Sequence, residues 1–430
     1  MSAVSVGIIG LGTVGSGVAK LLLERRAEIA QRTGVDLALV AAADLKPERA
    51  AELNLSGDVY TPDASALLAR QDIDIVVELI GGLEPARSFI VKALSRGQSV
   101  VTANKHLLAE SFHELSTLAV TGGSALFFEA SVAGGIPLLK SVREGLAANR
   151  IKSFLGIVNG TCNFILTEMN ERGIDFSLAL RGAQQQGFAE ADPTLDIEGH
   201  DSAHKLVVLA ALAFGRVFPL SGVYTEGISR IKPEDIRYAT EMGYIVKLLA
   251  IGRNSEVGFE LRVHPVLLER HHPLASVSGS FNAVLIEADA AGRLMFYGRG
   301  AGQMPTASAV VADIIDAARW RRMPADGSGG RVAVPARGSV LSMDETHSHY
   351  FIRFNVADQF GVLGRIATEL GHNRVSIQMV IQKEKRPDGV VPVVILTHPA
   401  READFRKAIS AIDSCDFVLE ATSFIRAIVD

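Results

Sequence analysis

The chain has 430 residues, of which 48% are hydrophobic and 21% charged, with a formal net charge of −5. This length exceeds that of a typical domain and predicts two or three domains, each with enough apolar material for a core. The slightly acidic balance offers no basic surface to nucleic acid or anionic lipid. No run approaches the roughly 18 apolar residues of a membrane span. Two cysteines, Cys162 and Cys415, cannot make a disulfide framework. We therefore expect a cytoplasmic protein that binds neither nucleic acid nor membrane.

The first segment has the pattern of a dinucleotide-binding fold. An apolar strand at 4–9 runs into GLGTVG, in which Gly10, Gly12 and Gly15 fit the spacing GxGxxG. In this motif the first glycine permits a tight turn, the second lets the backbone approach a pyrophosphate, and the third allows close packing of helix on strand. The start of the following helix then offers free N–H groups and a positive dipole to the phosphates. We assign the whole loop to the cofactor, with Leu11, Thr13 and Val14 beside the three glycines.

The end of the second strand bears on the identity of the cofactor. Asp44 stands there and suits the ribose 2′-hydroxyl of NAD, whereas Lys46 could meet the 2′-phosphate of NADP. The choice between NAD and NADP stays open on these residues alone.

Strands continue to alternate with helices along this segment. That order predicts a parallel, doubly wound sheet of the Rossmann type, with ligands at the carboxyl ends of its strands. The residues that follow such strand ends are further candidate cofactor contacts: Ile80, Gly81, Asn104 and Lys105.

An acidic run in the middle of the chain leads directly into a very apolar helix. The run, EADPTLDIEGHDSAHKL, holds five carboxylates and then Lys205. Three interpretations are open: a solvated loop, a divalent metal site, or a set of groups that bind and process a substrate. Asp201 and Lys205 are four residues apart, which places both on one face of a helix, where they could also form a plain ion pair.

Five motifs in a fixed order carry a family resemblance. ANK, EASVAGGIP, NGTCN, GFAEADPTLDIEGHDSAHK and GRGAGQMPTAS, together with the glycine loop, span residues 7 to about 309 and resemble homoserine dehydrogenase. The resemblance implies an NAD- or NADP-dependent interconversion of L-aspartate 4-semialdehyde and L-homoserine, in threonine, methionine and isoleucine biosynthesis. Two rival functions are another amino-acid dehydrogenase on the same scaffold and an inactive amino-acid sensor.

The resemblance also implies roles for individual residues. Lys205 matches the family's catalytic lysine and Lys105 a second lysine between nicotinamide and substrate; either can stabilise the negative charge that builds on the aldehyde oxygen. Glu190 and Asp201 match acids that bind the substrate's amino group. The remaining implied contacts are Asp196, Gly160 and Thr161 for the substrate and Gly302 for the cofactor.

A structural monovalent cation, usually sodium in this family, is implied near EASVAGGIP. The implied ligand positions are Glu129, Val132, Gly134 and Ile136.

The tail has a pattern of its own. Its strands and helices follow the order βαββαβ, which is ferredoxin-like, and VADQFGVLGRIA resembles the signature of the ACT regulatory module. The resemblance implies a small amino-acid effector, threonine, at the loop with Asp358, Gly361, Val362 and Leu363, and a homodimer or homotetramer in which ACT domains pair. An assembly module without a ligand is the alternative.

We therefore expect an α/β protein with a Rossmann-type domain, an α+β catalytic and dimerisation domain, and a ferredoxin-like ACT domain. The expected bounds are a dinucleotide-binding domain at 1–130, a catalytic domain at 131–320 with a helix at 305–320 that returns to the first domain, a linker at 321–348, and the ACT domain at 349–430.

Overall fold

The computed structural model describes residues 3–322, 334–382, 386–387 and 389–429. These residues form two compact units. Unit 1 consists of residues 1–152, 204–220 and 286–338, and unit 2 of residues 153–203, 221–285 and 339–430, apart from the residues that are not described. The domain bounds expected from the sequence stay a prediction.

The strands, in chain order, are β1 Val4–Ile9, β2 Leu37–Ala43, β3 Tyr60–Thr61, β4 Ile75–Glu78, β5 Ser99–Thr102, β6 Leu126–Phe127, β7 Ile151–Ile157, β8 Arg216–Val217, β9 Tyr224–Thr225, β10 Tyr244–Ser255, β11 Gly258–Glu269, β12 Phe281–Ala288, β13 Gly292–Arg299, β14 Ala336–Arg337, β15 His347–Ala357, β16 Ile377–Gln382, β17 Val390–Thr397, β18 Ala400–Arg401 and β19 Val418–Ile428.

The helices are α1 Thr13–Glu24, α2 Arg26–Thr33, α3 Pro47–Glu52, α4 Ala64–Ala69, α5 Ala86–Ser95, α6 Lys105–Thr121, α7 Leu138–Lys140, α8 Gly160–Arg172, α9 Phe176–Gln185, α10 Thr194–Ile197, α11 His200–Phe214, α12 Pro233–Glu241, α13 Gln303–Arg321, α14 Val362–His372 and α15 Glu402–Asp413. Short 3₁₀ turns occupy Glu129–Ser131, Leu220–Gly222, Pro273–Ser276 and Met343–Glu345. None of the helices in the described ranges combines the length and the apolar character that crossing a bilayer requires.

The sheet of unit 1 has the strand order β3-β2-β1-β4-β5-β6. Its pairings are all parallel, as the alternating pattern predicts. Apolar side chains cover both faces, because successive residues of a strand point to opposite sides. Val6 and Ile8 pack with α1 and α13 on one face, whereas Ile9 and Val76 pack with α4, α5 and α6 on the other. The order reverses between β1 and β4, and ligands of such sheets bind at this switch point.

Helix α13 packs along α1 in the same unit. The approach is close at Gly17, where an added Cβ would lie 3.0 Å from the Cβ of Ala307. The glycine-rich segment before α13 is thereby anchored beside the cofactor loop.

Two elements differ from the sequence expectation. Residues 125–137 suggest a strand, but only Leu126–Phe127 pairs, because the chain turns into a 3₁₀ helix at Glu129–Ser131. Residues 134–151 suggest one continuous helix, but the structure has a single turn, Leu138–Lys140, followed by a π-helical turn at Ser141–Gly145.

The tail is ferredoxin-like, as predicted. Within unit 2 its strands follow the order β19-β15-β17-β16, with α14 and α15 packed on them. They extend a larger sheet in which β11 pairs parallel with β19, Val266 opposite Arg426. The tail therefore shares a sheet with β7, β10 and β11 rather than forming a separate one.

The predicted linker at 321–348 lies only partly within the described residues. Residues 323–333 fall outside them, as do residues 383–385 and 388 of the tail. In the described part, β14 pairs with β8, and the Leu341 N–H donates to the Phe259 carbonyl at 2.8 Å.

A tight contact inside the sheet of unit 2 gives a stability prediction. Gly252 lies against the buried ring of Phe154, whose nearest atom would be 2.3 Å from an added Cβ. We expect Gly252→Ala to lower the free energy of unfolding by about 1–3 kcal/mol through overpacking. The matched control is Gly182→Ala on α9, where an added Cβ meets no atom within 4 Å. There we expect a gain of up to about 1 kcal/mol, since alanine favours the helix. Urea unfolding of both variants measures the difference, and equal midpoints would contradict the prediction.

Candidate active site

The loop after β1 shows why its glycines are needed. Gly10 has φ 99°, and an added Cβ would lie 2.9 Å from the backbone carbonyl of Leu79. An added Cβ at Gly15 would lie 1.8 Å from the Gly10 carbonyl oxygen. Gly12 differs, because its Cβ would meet only the Arg49 Nη1 at 3.9 Å. The outer glycines close the turn, and the middle one leaves open space for a phosphate to approach the start of α1.

A cleft of about 630 Å³ opens at this loop. Its walls include Gly12 from the loop, Asp44 and Lys46 after β2, and Gly81 after β4. Every one of these walls follows the carboxyl end of a parallel strand. The cleft therefore fits a dinucleotide at the expected edge of the sheet.

The Asp44 carboxylate is already engaged by protein groups. It accepts the Leu11 N–H at 2.7 Å and the Lys46 N–H at 2.9 Å, and it pairs with Arg49 Nη1 at 3.0 Å. Burial opposes ionisation, but these N–H groups and the Arg49 guanidinium together hold the pKa of Asp44 below its ordinary value. Sequence reasoning missed Arg49, which lies one helical turn into the segment after Asp44.

A second acid that sequence reasoning missed shapes the opposite wall. Glu78 ends β4 and is fully buried. One carboxylate oxygen accepts the N–H groups of Ile80 and Gly81, at 2.9 and 3.2 Å, and the other accepts the Thr102 hydroxyl at 2.7 Å. Glu78 thus fixes the loop that carries the two predicted cofactor contacts. A charged residue at the end of the apolar strand DIDIVVE was the available signal.

Asn104 has a structural use at the start of α6. Its side-chain oxygen accepts the Leu107 N–H at 3.1 Å and so caps the helix, and its amide donates to the Gly82 carbonyl at 2.7 Å. Lys105 is the first residue of α6 and is half-buried. Gly302, the residue before α13, has φ 127°, a conformation that favours glycine.

Two stacked histidines join the helices that carry the lysines. The rings of His106 and His204 lie 4.6 Å apart, with an angle of 15° between their planes. Each histidine directly follows or precedes a predicted catalytic lysine, Lys105 on α6 and Lys205 on α11. Consecutive Cα atoms are about 3.8 Å apart. The stack therefore holds the two lysine-bearing backbone segments side by side.

In unit 2, an asparagine gathers two of the predicted acids. The Asn159 amide donates to Asp196 at 2.7 Å and to Asp201 at 2.9 Å. Its side-chain oxygen accepts the Cys162 N–H at 2.8 Å and caps α8. Asp201 is buried at the start of α11. Asn159, which belongs to the motif NGTCN but had no predicted role, therefore fixes the acids relative to α8.

The other acids of the run lie in different surroundings. Glu190 is exposed, and its carbonyl accepts the Gln184 amide at 3.1 Å. Asp192 is exposed as well and accepts the hydroxyl and the N–H of Thr194, which hold its pKa below the ordinary value. Asp192 thus shapes the turn.

The remaining predicted substrate contacts, Gly160 and Thr161, belong to the first turn of α8. An added Cβ at Gly160 would lie 2.7 Å from the Ser280 carbonyl oxygen. The Thr161 hydroxyl donates to the Phe188 carbonyl at 2.6 Å.

The predicted cation loop contains a buried carboxylate in unit 1. The two carboxylate oxygens of Glu129 accept the N–H groups of Leu139 and Lys140, at 2.9 and 2.6 Å. Its backbone N–H donates to Asp313 at 2.7 Å. Burial raises the pKa of both carboxyl groups. Glu129 therefore anchors the short helix α7.

The divalent-metal interpretation of the acidic run requires several donor side chains close together. The described ranges bring together no group of three or more His, Cys, Asp or Glu side chains that could hold a metal ion.

Comparison with known proteins assigns the chain to a family. The homoserine dehydrogenase profile matches residues 137–315, that family's NAD-binding domain matches 10–129, and the ACT domain matches 350–416. A homoserine dehydrogenase of Neisseria gonorrhoeae is 46% identical over 99% of both chains, and one of Pseudomonas aeruginosa is 42% identical over 97% of both. The chain belongs to the homoserine dehydrogenase family.

Solved structures agree with this assignment. A crystal structure of a homoserine dehydrogenase from Thiobacillus denitrificans is 43% identical, covers 100% of this chain and 99% of its own, and has a TM-score of 0.94. A hyperthermophilic archaeal homoserine dehydrogenase in complex with NADPH is 28% identical, covers 75% and 99%, and has a TM-score of 0.63. The family assignment confirms the resemblance carried by the motifs and makes this chain an oxidoreductase that acts on a CH–OH group.

The ACT domain of this homoserine dehydrogenase family member contains the predicted effector loop. Gly361 has φ 85° and precedes α14, Val362 is buried, and Leu363 is 38% exposed. Asp358 is half-buried. An open cavity of about 460 Å³ lies beside Gly361 and is lined by Phe417 as well. Only Gly361 of the four predicted residues lines this cavity.

Proposed function

We propose that this chain catalyses the NAD(P)-dependent interconversion of L-aspartate 4-semialdehyde and L-homoserine, with Lys205 and Lys105 as the catalytic residues. The observation that carries the proposal is the His106–His204 stack, which holds the backbone segments next to the two lysines side by side in the unit that also contains the cofactor loop. A nicotinamide cofactor, when bound, supplies or accepts the hydride. Reduction of the aldehyde places negative charge on its oxygen, and a lysine ammonium can stabilise that charge and deliver the proton.

Two acids are proposed to hold the ammonium group of the substrate. Asp201 is buried and receives the Asn159 amide, so its position is fixed. Glu190 is exposed and can therefore move towards an incoming cation. Asp196 shares the Asn159 amide with Asp201 and would orient it. The adjacent first turn of α8 supports Gly160 and Thr161 as further substrate contacts.

The cofactor that the cleft supports best is NADP. A ribose 2′-hydroxyl needs a carboxylate with a vacant acceptor direction, but Asp44 already accepts two N–H groups and pairs with Arg49. Arg49 and Lys46 supply positive charge at the same edge of the cleft, which suits a 2′-phosphate. The named archaeal relative binds NADPH. The loop residues predicted from the sequence, with Ile80, Gly81, Asn104 and Gly302, complete the proposed cofactor site.

The structural cation remains part of the proposal. Backbone carbonyls of a tight turn are suitable oxygen ligands for a hard cation such as sodium. The Ile136 carbonyl accepts the Leu138 N–H at 2.7 Å and keeps a second lone pair. The Glu129 carboxylate is committed to two N–H groups, so it would supply negative charge close to the carbonyls of Val132 and Gly134.

Regulation, assembly and location complete the proposal. A free amino acid, threonine by the family resemblance, is proposed to bind the loop with Asp358, Gly361, Val362 and Leu363, in a homodimer or homotetramer. Gly361 in a left-handed conformation beside a cavity supports this loop as a binding site. Cys162 and Cys415 are both free thiols, which supports a location of the protein in the reducing cytoplasm.

The lysine mechanism predicts a loss of turnover. We expect Lys205→Ala and Lys105→Ala each to lower kcat by about 10²–10³, because each removes a positive charge from the developing alkoxide. The affinity for the nicotinamide cofactor should change little. The matched control is Lys20→Ala, an exposed lysine on α1. Steady-state assays with homoserine measure the effect, and near-normal kcat in both catalytic variants would refute the two-lysine mechanism.

The ammonium site predicts a selective change in KM. We expect Glu190→Gln to raise KM for homoserine about tenfold and to leave KM for the cofactor unchanged, because only the substrate carries the ammonium. Such a change corresponds to about 1.4 kcal/mol. Asp192→Asn is the matched control, since Asp192 is an exposed acid two positions away that shapes its own turn. An unchanged homoserine KM in Glu190→Gln would contradict the proposed contact and favour the interpretation of Glu190 as part of a solvated loop.

The charge at the end of β2 predicts the cofactor preference. We expect Arg49→Ala to lower kcat/KM for NADPH relative to NADH by about tenfold or more, since hydrogen bonds to charged groups contribute about 1.5–3 kcal/mol. The variant also releases Asp44 to accept a 2′-hydroxyl. Arg32→Ala, an exposed arginine on α2, is the control. A ratio that does not change would remove Arg49 from the cofactor site.

A further inference from the structure

Two neighbouring strands of the unit 1 sheet end in a pair of buried polar residues. Glu78 is the last residue of β4 and Thr102 the last of β5, and the two lie opposite each other in the parallel pairing of these strands. Both side chains are fully buried. Buried polar groups normally have hydrogen-bond partners, so the partners of this pair show what the two strand ends hold in place.

The Thr102 hydroxyl both donates and accepts a hydrogen bond. It donates to a Glu78 carboxylate oxygen at 2.7 Å and accepts the backbone N–H of Asn104 at 3.0 Å. A hydroxyl has one donor and two acceptor lone pairs, so it can bridge an acid and an N–H group in this way. Thr102 therefore joins Glu78 to the residue that caps α6.

Two further links close this arrangement into a ring. The other carboxylate oxygen of Glu78 accepts the N–H groups of Ile80 and Gly81, at 2.9 and 3.2 Å. The Asn104 amide donates to the Gly82 carbonyl at 2.7 Å, and Asn104 is only 6% exposed. The ring thus runs from the acid through the loop after β4 to the cap of α6, and returns through the threonine. Hydrogen bonds are strong in such dry surroundings, and a missing partner is costly there.

The two segments that the ring joins have different tasks in the proposed function. The loop after β4 contacts the cofactor, whereas α6 begins with Lys105, one of the two proposed catalytic residues. Lys105 directly follows the cap, and consecutive Cα atoms lie about 3.8 Å apart. A shift of the ring therefore moves the lysine-bearing backbone together with the loop.

We propose that Thr102 is a positioning residue, whose hydroxyl couples the loop after β4 to the start of α6 and so places Lys105 for the reaction. The inference rests on the proposed function, in which Lys105 stabilises charge on the aldehyde oxygen. Thr102 acts through the two segments and takes no part in the chemistry. A valine of the same shape would fill the space but leave the Asn104 N–H and one Glu78 oxygen without their partner.

The kinetic test compares variants of Thr102 by steady-state oxidation of homoserine. Thr102→Val keeps the shape of the side chain and removes the hydroxyl, so we expect kcat to fall about tenfold or more. Thr102→Ser keeps the hydroxyl and should restore most of the turnover. The matched control is Ser99→Ala in the same strand, because the buried Ser99 hydroxyl has no hydrogen-bond partner within the described ranges. This control should keep the kcat of the wild type.

A double-mutant cycle separates positioning from general damage to the fold. If Thr102 acts by placing Lys105, its hydroxyl matters little once that lysine is gone, because residues that act as a unit are not additive. We therefore expect Thr102→Val to change kcat by less than about twofold in the Lys105→Ala background. The same cycle with Glu78→Gln serves if Thr102→Val does not fold.

Hydrogen exchange measures the coupling without turnover. In Thr102→Val we expect faster exchange at the Asn104 amide, which loses its acceptor, and also at the Ile80 and Gly81 amides on the other side of the ring. Ser99→Ala should leave all three amides unchanged. The measurement does not depend on the substrate, so failure of the proposed reaction and failure of the coupling are distinguishable.

Three results would overturn the proposal. The first is a Thr102→Val enzyme with the kcat of the wild type. The second is an equal fold loss of kcat on Thr102→Val in the wild-type and Lys105→Ala backgrounds, since the hydroxyl would then act on the fold alone. The third is faster exchange at Asn104 with no change at Ile80 and Gly81. A wild-type protein that does not oxidise homoserine would refute the proposed function, and the exchange rates would then decide the coupling.

Discussion

The buried guanidinium of Arg426 holds unit 2 together. It lies on β19, is 1% exposed, and donates to Glu402 through Nε at 2.9 Å, to Glu226 through Nη1 at 2.8 Å, and to the Tyr224 hydroxyl at 3.2 Å. Removing one member of such a buried set leaves an uncompensated charge, which typically costs about 3–5 kcal/mol. The partners come from both sides: Glu402 begins α15 of the ACT segment, whereas Tyr224 and Glu226 flank β9, which pairs with β11. Electrostatics therefore fixes where the tail meets the rest of this unit.

The tail is joined to the rest of unit 2 by strand pairing and is not a separate appended module. Sequence composition suggests a linker followed by an independent domain, but β19 pairs with β11 along Val266–Leu268. A chain cut before the tail would expose this edge and leave Tyr224 and Glu226 without Arg426. Exposed edges of apolar strands promote aggregation. We therefore expect regulation and folding of unit 2 to depend on the same contacts, and point substitutions within the tail to be more informative than its removal.

Local chemistry explains what could be predicted from the sequence. Gly10 and Gly15 must be glycine because a Cβ would clash with Leu79 at the first position and with the Gly10 carbonyl at the second. The strand–helix alternation dictates a parallel sheet. The missed features join distant positions. Glu78 meets Thr102 across 24 residues, and Asn159 meets Asp196 across 37. The expected helix at 134–151 begins only at Leu138, where the N–H groups of Leu139 and Lys140 donate to the Glu129 carboxylate, and it ends with the π-helical turn at Ser141–Gly145. Local pattern cannot report partners that only the fold brings together.

The carboxylates of the acidic run differ in burial and in their hydrogen-bond partners. Asp192 accepts the Thr194 hydroxyl within its own turn. Asp201 accepts the Asn159 amide at the start of α11, a helix whose apolar remainder is buried. Asp201 and Lys205 are four residues apart on α11, a separation of about one helical turn. Glu190 has no such restraint and lies exposed. In the proposed function, the fixed acid orients the ammonium group of the substrate and the exposed acid captures it first. Acids of one sequence run therefore have different surroundings, because the fold gives Asp201, but not Glu190, a place at the buried start of a helix.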